Sequence, residues 1–317
     1  MTIGIAVTGR NAGLAAFRAL AAVEKVARGA IGGFVSFVAI TADGTLARAE
    51  TQRGGTTTLF TSGEATGVEP PAPVAGARFA ALMSSGPDRP APLAQFTPGD
   101  AAVGLVTGHR LPNVPGEGAT LPLNTATLER MRAGADPRAA IEAELALHPE
   151  ADAGLIALDL QGRLHLANSR FVERRGDLGA VCLDDPARHH AVAVLHNAIE
   201  PRQGIATLAA ATALDSMAPP DRADFHIRLE AGLVLERGVA DVLDVDATGR
   251  VVRITVSRRH LLDGRRDGSV LGFATPVRRD GKLLGHTVGD PYCVIEAGRL
   301  VSMSGQPSVT LGVHHDD

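Results

Sequence analysis

A strand–turn–strand phrase recurs five times and dominates the pattern of apolar and polar positions along the chain. In each copy an apolar segment leads into a tight turn with glycine, and a second apolar segment follows a Thr, Arg or Lys. Glycine accepts the positive φ of primed turns, whose twist matches that of paired strands. The pattern predicts five antiparallel hairpins, with turn glycines Gly44, Gly162, Gly249, Gly281 and Gly298.

Apolar positions that alternate or run continuously along these strands define the expected core. The predicted core residues are Ile5, Val7, Val35, Phe37, Leu155, Ala157, Val245 and Ile254. Further strands are predicted over residues 2–7 and 101–106. The predicted helices cover residues 14–28, 124–133, 136–147, 188–197 and 203–216. Because helices stand beside blocks of strands, the sequence favours an α+β fold over a doubly wound parallel sheet.

The chain is expected to pack as one continuous domain made of two segments. Residues 1–180 form a duplicated hairpin and helix unit, interrupted by a Pro/Gly-rich excursion over residues 61–100. Residues 181–317 hold helices followed by a strand-rich part. The first two hairpin copies are similar beyond their turns, since both return strands end in a polar cluster.

Composition narrows the function classes. With a net charge of −4, no Trp and a single Tyr, the chain has little to attract phosphates or stack on bases, so no nucleic acid is expected. Two cysteines are too few for a disulfide framework, which suits a cytoplasmic protein. We see no signal peptide and no apolar run long enough for a membrane span. A homo-oligomer is compatible with this composition.

No cofactor and no metal are expected, because the chain has neither a dinucleotide nor a P-loop glycine motif and its histidines match no zinc spacing. The expected partner is instead a small-molecule substrate. Arg10 and Asn11 lie in a strand-to-helix turn, where free amide groups favour an anion. The alternative for that segment is a plain turn.

The two polar clusters at the hairpin ends are candidate substrate-binding groups. An arginine fork with amide donors suits an anionic ligand. The candidates are Glu50, Gln52 and Arg53 in the first copy, and Asn168 and Arg170 in the second. The alternative is an ion-pair network that joins the two copies.

A third cluster lies in a predicted loop over residues 107–113. His109 offers a general base, Arg110 an anion clamp and Asn113 an oxyanion donor. A surface loop with the same residues is the alternative. We expect this loop and both hairpin ends to converge on one pocket.

The phrase from His148 to Arg163 resembles the strand entry of bacterial hydrolases of the N-terminal-nucleophile (Ntn) superfamily, including isoaspartyl-peptidase-like proteins. Gly54 and Gly55, after a returning strand, also resemble that group. The resemblance covers residues 30–60 and 136–177. It implies a layered αββα sandwich and hydrolysis of amide C–N bonds. The nucleophile in that superfamily is a Thr, Ser or Cys whose own free α-amine acts as the base.

The chain departs from the family pattern at the nucleophile, because Phe34 stands where the family places it. Ser36 and Thr56 would each need an internal cut, whereas Thr2 needs only removal of Met1. The expected catalytic residues are therefore Thr2, His109 and Asn168, in a chain hydrolysing a small, polar, anionic substrate. Two alternatives stand beside it: a non-catalytic protein that binds a metabolite or a partner enzyme, and a His-dependent isomerase or lyase.

Overall fold

The computed structural model describes residues 1–29, 31–186, 188–217, 223–269 and 273–315. The chain divides into unit 1, Met1–Ala218, and unit 2, Pro219–Asp317. Residue 181, where the sequence suggested a change of segment, lies inside a strand of unit 1, Leu178–Asp185. The packing of the chain as one continuous domain stays a prediction.

The elements of unit 1 follow in chain order. The strands are β1 (Thr2–Thr8), β2 (Val35–Ile40), β3 (Leu46–Thr51), β4 (Thr61–Ser62), β5 (Ala65–Thr66), β6 (Phe79–Ser85), β7 (Gly99–Asp100), β8 (Gly104–Arg110), β9 (Ala153–Asp159), β10 (Leu164–Asn168), β11 (Leu178–Asp185) and β12 (His190–Asn197). The helices are α1 (Ala12–Val26), α2 (Thr56–Leu59), α3 (Ala72–Ala75), α4 (Leu123–Arg132), α5 (Pro137–Leu147), α6 (Arg170–Glu173) and α7 (Arg202–Met217), with a 3₁₀ turn at Leu93–Phe96.

Unit 2 consists mainly of strands. They are β13 (Phe225–Glu230), β14 (Leu235–Arg237), β15 (Val242–Val245), β16 (Val251–Val256), β17 (Arg265–Ser269), β18 (Pro276–Arg279), β19 (Lys282–Thr287), β20 (Tyr292–Glu296), β21 (Arg299–Met303) and β22 (Ser308–His314), with a 3₁₀ turn at Arg259–Leu261. A seven-stranded and a three-stranded sheet enclose a core that includes Leu243, Ile254 and Ile295.

All five predicted hairpins are confirmed, and the fold is α+β. The turns join β2 to β3, β9 to β10, β15 to β16, β18 to β19 and β20 to β21, each as an antiparallel pair. Their glycines have φ between 73° and 81°, which explains the requirement for glycine at these turns. The eight predicted core residues are all buried.

Unit 1 contains two larger sheets, which we call sheet I and sheet II. Sheet I has the strand order β11-β12-β1-β6-β2-β3, and sheet II has the order β10-β9-β8-β7. Every strand pair in both sheets is antiparallel. The two similar hairpins therefore lie in different sheets, one in each.

Three of the four apolar clusters described in unit 1 connect its helices and its two larger sheets. The first packs α1 and α7 on one face of sheet I, with Phe17, Leu20 and Ile205 among its buried side chains. The second fills the space between the two sheets and includes Leu105 and Ile156. The third packs α4 and α5 on the far face of sheet II. Sheets buried on both faces explain why so many strands read as continuous apolar runs.

Three sequence-based predictions are wrong. The helix predicted over residues 188–197 is instead a turn followed by β12 (His190–Asn197), because a strand buried on both faces has no alternation to distinguish it from a buried helix. The excursion over residues 61–100, whose composition suggests a long loop or a partly helical segment, contains β6, which lies between β1 and β2 in sheet I. The strand predicted at 101–106 runs from Gly104 to Arg110, so His109 and Arg110 end a strand instead of lying in a loop.

Glycines allow sheets I and II to approach closely near the start of β1. A Cβ on Gly4 would lie 2.3 Å from the carbonyl oxygen of Gly108 in the facing sheet. A Cβ on Gly108 would in turn lie 2.1 Å from the carbonyl oxygen of Gly154 on β9. Both distances are far below van der Waals contact, so a side chain at either position would force the backbones apart.

We predict that Gly4→Ala lowers the free energy of unfolding by about 1–3 kcal/mol, the usual cost of overpacking a core. The matched control is Gly204→Ala in α7, where an added Cβ meets nothing within 4 Å. Because alanine favours helix, the control should be neutral or stabilising by up to about 1 kcal/mol. Urea unfolding of both variants measures the difference. Equal stability of the two variants would contradict the close approach.

Candidate functional site

The side chain of Thr2 is the centre of a buried polar site at the start of β1. Thr2 pairs with Asn197 on one side and with Ser85 on the other, at the matching ends of β12 and β6. Its residue is only 5% exposed. The hydroxyl donates to Asn197 Oδ1 at 2.7 Å and accepts the Arg110 backbone N–H at 2.6 Å. Both partners fix the orientation of the Thr2 oxygen.

The Arg110 amide is held in an uncommon backbone conformation. Arg110 has φ of 67°, in the left-handed region that non-glycine residues rarely adopt. Asp152 stabilises this turn twice: its carboxylate binds the guanidinium, with Nη2 to Oδ2 at 2.5 Å, and its carbonyl accepts the Leu111 N–H at 3.0 Å. Strain retained by surrounding contacts is typical of functional sites.

His109 precedes Arg110 and is fully buried. Its Nε2 lies 2.7 Å from Asn168 Oδ1, at the end of β10. Burial lowers the pKa of His109 to about 4, and interactions with Asn168 and Asn197 offset this only in part. The ring is therefore neutral at physiological pH, and Nε2 carries the proton that Asn168 Oδ1 accepts.

The carbonyl oxygen of Met1 accepts a hydrogen bond from Ser85 Oγ at 2.7 Å. Arg89 Nη2 donates to the same Ser85 oxygen at 2.5 Å. The Gln52 side chain binds both the carbonyl and the N–H of Arg89, at 2.6 and 3.0 Å. The Met1–Thr2 peptide unit is thus held through its carbonyl on one side and through the Thr2 hydroxyl on the other.

Positive charge surrounds the amino end of β1. Burial lowers the pKa of the Met1 ammonium, and the nearby charges of Arg89, Arg110 and Arg175 add to this effect. Asp177 acts in the opposite direction and pairs with Arg175 at 2.5 Å. The net effect is a lowered pKa of the Met1 ammonium.

A pocket of about 360 Å³ borders the site at Asp152. Its walls include Leu111 and Val114 on one side and His148 and Pro149 on the other. The volume falls within the range of small-molecule pockets. The Arg110–Asp152 ion pair therefore joins the buried site to a space of substrate size.

The other two candidate nucleophiles have different surroundings. Ser36 is fully buried and shares a hydrogen bond with Thr97 at 2.7 Å. Thr56 starts α2, and the Glu24 carboxylate accepts its backbone N–H and its hydroxyl. Burial raises the pKa of Glu24, and the two bonds from Thr56 oppose that shift. This contact suits a helix cap.

The predicted binding residues are spread over unit 1. Gln52 reaches the site through Arg89. Arg53 is exposed and pairs with Asp88 at 2.7 Å, while Glu50 is exposed on β3. Asn113 donates to Gln95 Oε1 at 2.9 Å. Arg170 is exposed at the start of α6.

The structure does not bring the two polar clusters together. The cluster after β3 lies four strands from β12 in sheet I, about 19 Å at 4.8 Å per strand. The second cluster follows β10, which packs against β12. Arg10 and Asn11 follow the opposite end of β1, about 20 Å from Thr2. Thr2, His109, Arg110 and Asn168 are the predicted residues that meet.

Four residues of the polar site were not predicted from the sequence: Asn197, Ser85, Arg89 and Asp152. Asn197 was hidden by the helix predicted over its strand, and Ser85 and Arg89 by the Pro/Gly-rich composition around β6. A usable signal existed, because β6 and β12 are both apolar runs that end in polar residues, Ser84-Ser85 and His196-Asn197. No pattern in the sequence indicated Asp152. It binds Arg110 only because the backbone turns at Arg110, and that turn could not be predicted from the sequence.

We predict that His109 makes the protein lose stability as the pH falls from 6.5 to 4. In this range the unfolded chain protonates His109 and the folded protein does not, so the unfolded state binds more protons and stability rises with pH. A pKa lowered from 6.5 to about 4 corresponds to about 3 kcal/mol. His109→Gln should flatten the pH dependence of the free energy of unfolding, measured in urea. His226→Gln, at an exposed position, is the control. An unchanged slope in His109→Gln would contradict the assignment.

Comparison with known families places these units in context. The chain matches the family model described as Domain of unknown function (DUF6963) over residues 2–226. It is also similar to Domain of unknown function (DUF7259) over residues 232–308. No curated protein matches it. Among the residues that the structure describes, no helix has both the length and the apolar character needed to cross a membrane. Because the first match covers well over half of the sequence and includes the whole polar site, the chain belongs to the DUF6963 family.

Proposed function

We propose that the protein hydrolyses the C–N bond of a small polar amide, with Thr2 as the nucleophile after removal of Met1. The observation that carries this proposal is the environment of the Thr2 hydroxyl. It is buried, oriented by Asn197 and Arg110, and lies at the start of a strand, three bonds (Oγ1–Cβ–Cα–N) from the nitrogen that becomes a free amine. An N-terminal nucleophile needs this combination.

In the proposed reaction the Thr2 α-amine takes the hydroxyl proton as Oγ1 attacks the carbonyl carbon of the substrate. The C–N bond then breaks, and the leaving amine takes the proton from the α-ammonium. Water attacks the resulting Thr2 ester and the amine takes a proton from it. The acyl–Oγ1 bond breaks, the α-ammonium returns that proton to Thr2 Oγ1, and the carboxylic acid leaves. The surrounding arginines help, because the positive charges that lower the pKa of the Met1 ammonium would act on the Thr2 amine as well.

We also propose that unit 1 is a layered αββα sandwich related to the Ntn hydrolases. Three apolar clusters support this arrangement, since they join helices to sheet I, sheet I to sheet II, and sheet II to helices. The cytoplasm is the proposed compartment, where the thiols of Cys182 and Cys293 would stay reduced.

An anionic group on the substrate is part of the proposal. Arg110 and Arg175 are paired with aspartates, whereas the described contact of the Arg89 guanidinium is the hydroxyl of Ser85. The charge of Arg89 thus remains for a ligand. His109 is assigned a positioning role through Asn168, because its ring is neutral and its Nε2 is already bound.

A non-catalytic metabolite-binding protein is the second candidate. The observation that favours it is that Thr2 is buried while Met1 is present, and that the Met1 carbonyl oxygen already accepts the hydrogen bond of the Ser85 hydroxyl. If Met1 stays in place, the free α-amine belongs to Met1 and not to Thr2, and the Thr2 hydroxyl serves as an anchor for β1. The two candidates differ in whether residue 2 is needed for turnover.

We predict that Thr2→Ala abolishes hydrolysis of a panel of small amides, followed by amine release, while Thr2→Ser retains it. Thr8→Ala, at the equally buried opposite end of β1, should leave turnover unchanged. Because Thr2 is buried and makes two hydrogen bonds, Thr2→Ala should also lose about 1–3 kcal/mol of stability. Full activity in folded Thr2→Ala would remove Thr2 from the mechanism.

A further inference from the structure

The hydroxyl of Ser85, which donates to the Met1 carbonyl oxygen, has no role in the proposed reaction as described so far. Ser85 is fully buried at the end of β6, and its hydroxyl donates to the Met1 oxygen at 2.7 Å. A hydroxyl has one hydrogen, so this contact defines where the donor points. The acceptor belongs to the peptide unit of Thr2 itself. When Met1 is removed, the Ser85 donor is left directed at the space beside Thr2.

Arg89 controls the orientation of this donor. Its Nη2 donates to the Ser85 oxygen at 2.5 Å, so the hydroxyl must direct its own hydrogen elsewhere. The positively charged guanidinium of Arg89, bound to a lone pair of the Ser85 oxygen, also polarises the Ser85 O–H bond. Charge-assisted hydrogen bonds of this type are stronger than neutral ones. Arg89 therefore makes Ser85 a better donor towards a negative oxygen.

Gln52 holds Arg89 in place. The amide group of Gln52 forms two hydrogen bonds to the Arg89 backbone, one to the carbonyl and one from the N–H. This closes a rigid ring between the end of β3 and the segment after β6. The order of contacts runs from Gln52 to Arg89 to Ser85 to the Met1 oxygen.

We infer that Ser85 binds the carbonyl oxygen of the substrate during attack by Thr2, and that Arg89, held by Gln52, is a positioning residue that orients Ser85. This inference rests on the proposed function. As Thr2 Oγ1 bonds to the carbonyl carbon, the π electrons move to the oxygen and the hydroxyl proton moves to the α-amine. The Ser85 O–H, with the Arg89 charge behind it, stabilises the oxyanion that forms.

The chain offers a matched control for Ser85. Ser84 precedes it on β6 and is equally buried, but no described atom lies within hydrogen-bonding distance of its hydroxyl. Ser84→Ala and Ser85→Ala remove the same atom from adjacent positions of one strand. Arg89→Ala and Arg89→Lys form the second pair, in which lysine restores the positive charge.

The test uses a β-lactone as the probe. Acylation of Thr2 by the β-lactone can be followed without knowing the natural substrate. Attack by Thr2 opens the ring: the Oγ1–acyl bond forms, the ring C–O bond breaks, and the hydroxyl proton passes through the α-amine to the released alkoxide. Intact mass against time and probe concentration gives the maximal acylation rate and the half-saturating concentration separately. Peptide mapping locates the acyl group, and thermal unfolding confirms that each variant is folded.

We expect wild type and Ser84→Ala to be acylated at Thr2 at similar rates. Ser85→Ala should be slower by about 100-fold, the effect of losing one oxyanion donor. The loss should fall on the maximal rate with the half-saturating concentration little changed, which a general loss of structure would not produce. Arg89→Ala should show the same type of loss, and Arg89→Lys should restore part of the rate.

Two outcomes separate this inference from the function on which it rests. If wild type is acylated at Thr2 and Ser85→Ala reacts as fast as Ser84→Ala, Ser85 is not the donor and the proposed function stands. If wild type is not acylated at Thr2, or Thr2→Ala is labelled equally, the proposed function fails and the inference with it. Should Ser85→Ala not fold, the Arg89 pair decides: equal rates in Arg89→Ala and wild type would overturn the positioning role.

Discussion

The close approach of sheets I and II at Gly4 and Gly108 is the constraint on which the site depends. A side chain at Gly4 would collide with the Gly108 backbone in the facing sheet, and one at Gly108 would collide with Gly154 on the neighbouring strand of its own sheet. Because the sheets touch there, the end of β8 reaches the start of β1, and the Arg110 amide lies 2.6 Å from the Thr2 hydroxyl. With an ordinary separation of about 10 Å between packed sheets, these two groups could not meet.

Backbone strain and charge act together at this contact. Arg110 adopts a left-handed conformation that a non-glycine residue rarely takes, and the Asp152 ion pair compensates for it. The same turn places the fully buried His109 against Asn168. The polar groups around Thr2 are thus fixed by paired charges and by strand ends from both sheets. Polar groups held in place in this way are what the proposed catalysis requires.

Local pattern was enough to predict the hairpins, because Gly44 and Gly162 need only a turn with positive φ. Local pattern also selected Thr2, His109 and Asn168, which the structure places in one buried polar cluster, and their catalytic roles stay a prediction. The predictions that failed depend on contacts between residues far apart in the sequence. The segment 188–197 could not be distinguished from a helix until its pairing with β1 was known, and this error hid Asn197.

The sequence also could not show which of the candidate residues lie close together in the folded protein. The two similar hairpins suggested that Arg53 and Asn168 share a pocket, but each hairpin joined a different sheet and its return strand became an edge. Strand order, which sequence similarity does not determine, places the two ends far apart. Ser85 and Arg89 entered the site for the same reason, because β6 pairs directly with β1.

The most direct measurement is the intact mass of the purified protein together with the identity of its first residue. The account predicts a chain shorter by Met1, with Thr2 carrying a free α-amine. The pair of amine and hydroxyl on adjacent carbons would then be cleaved by periodate with loss of acetaldehyde, a second mass change specific to that terminus. A chain that retains Met1, or a Thr2 amine that is acylated, would contradict the central claim that Thr2 is an N-terminal nucleophile.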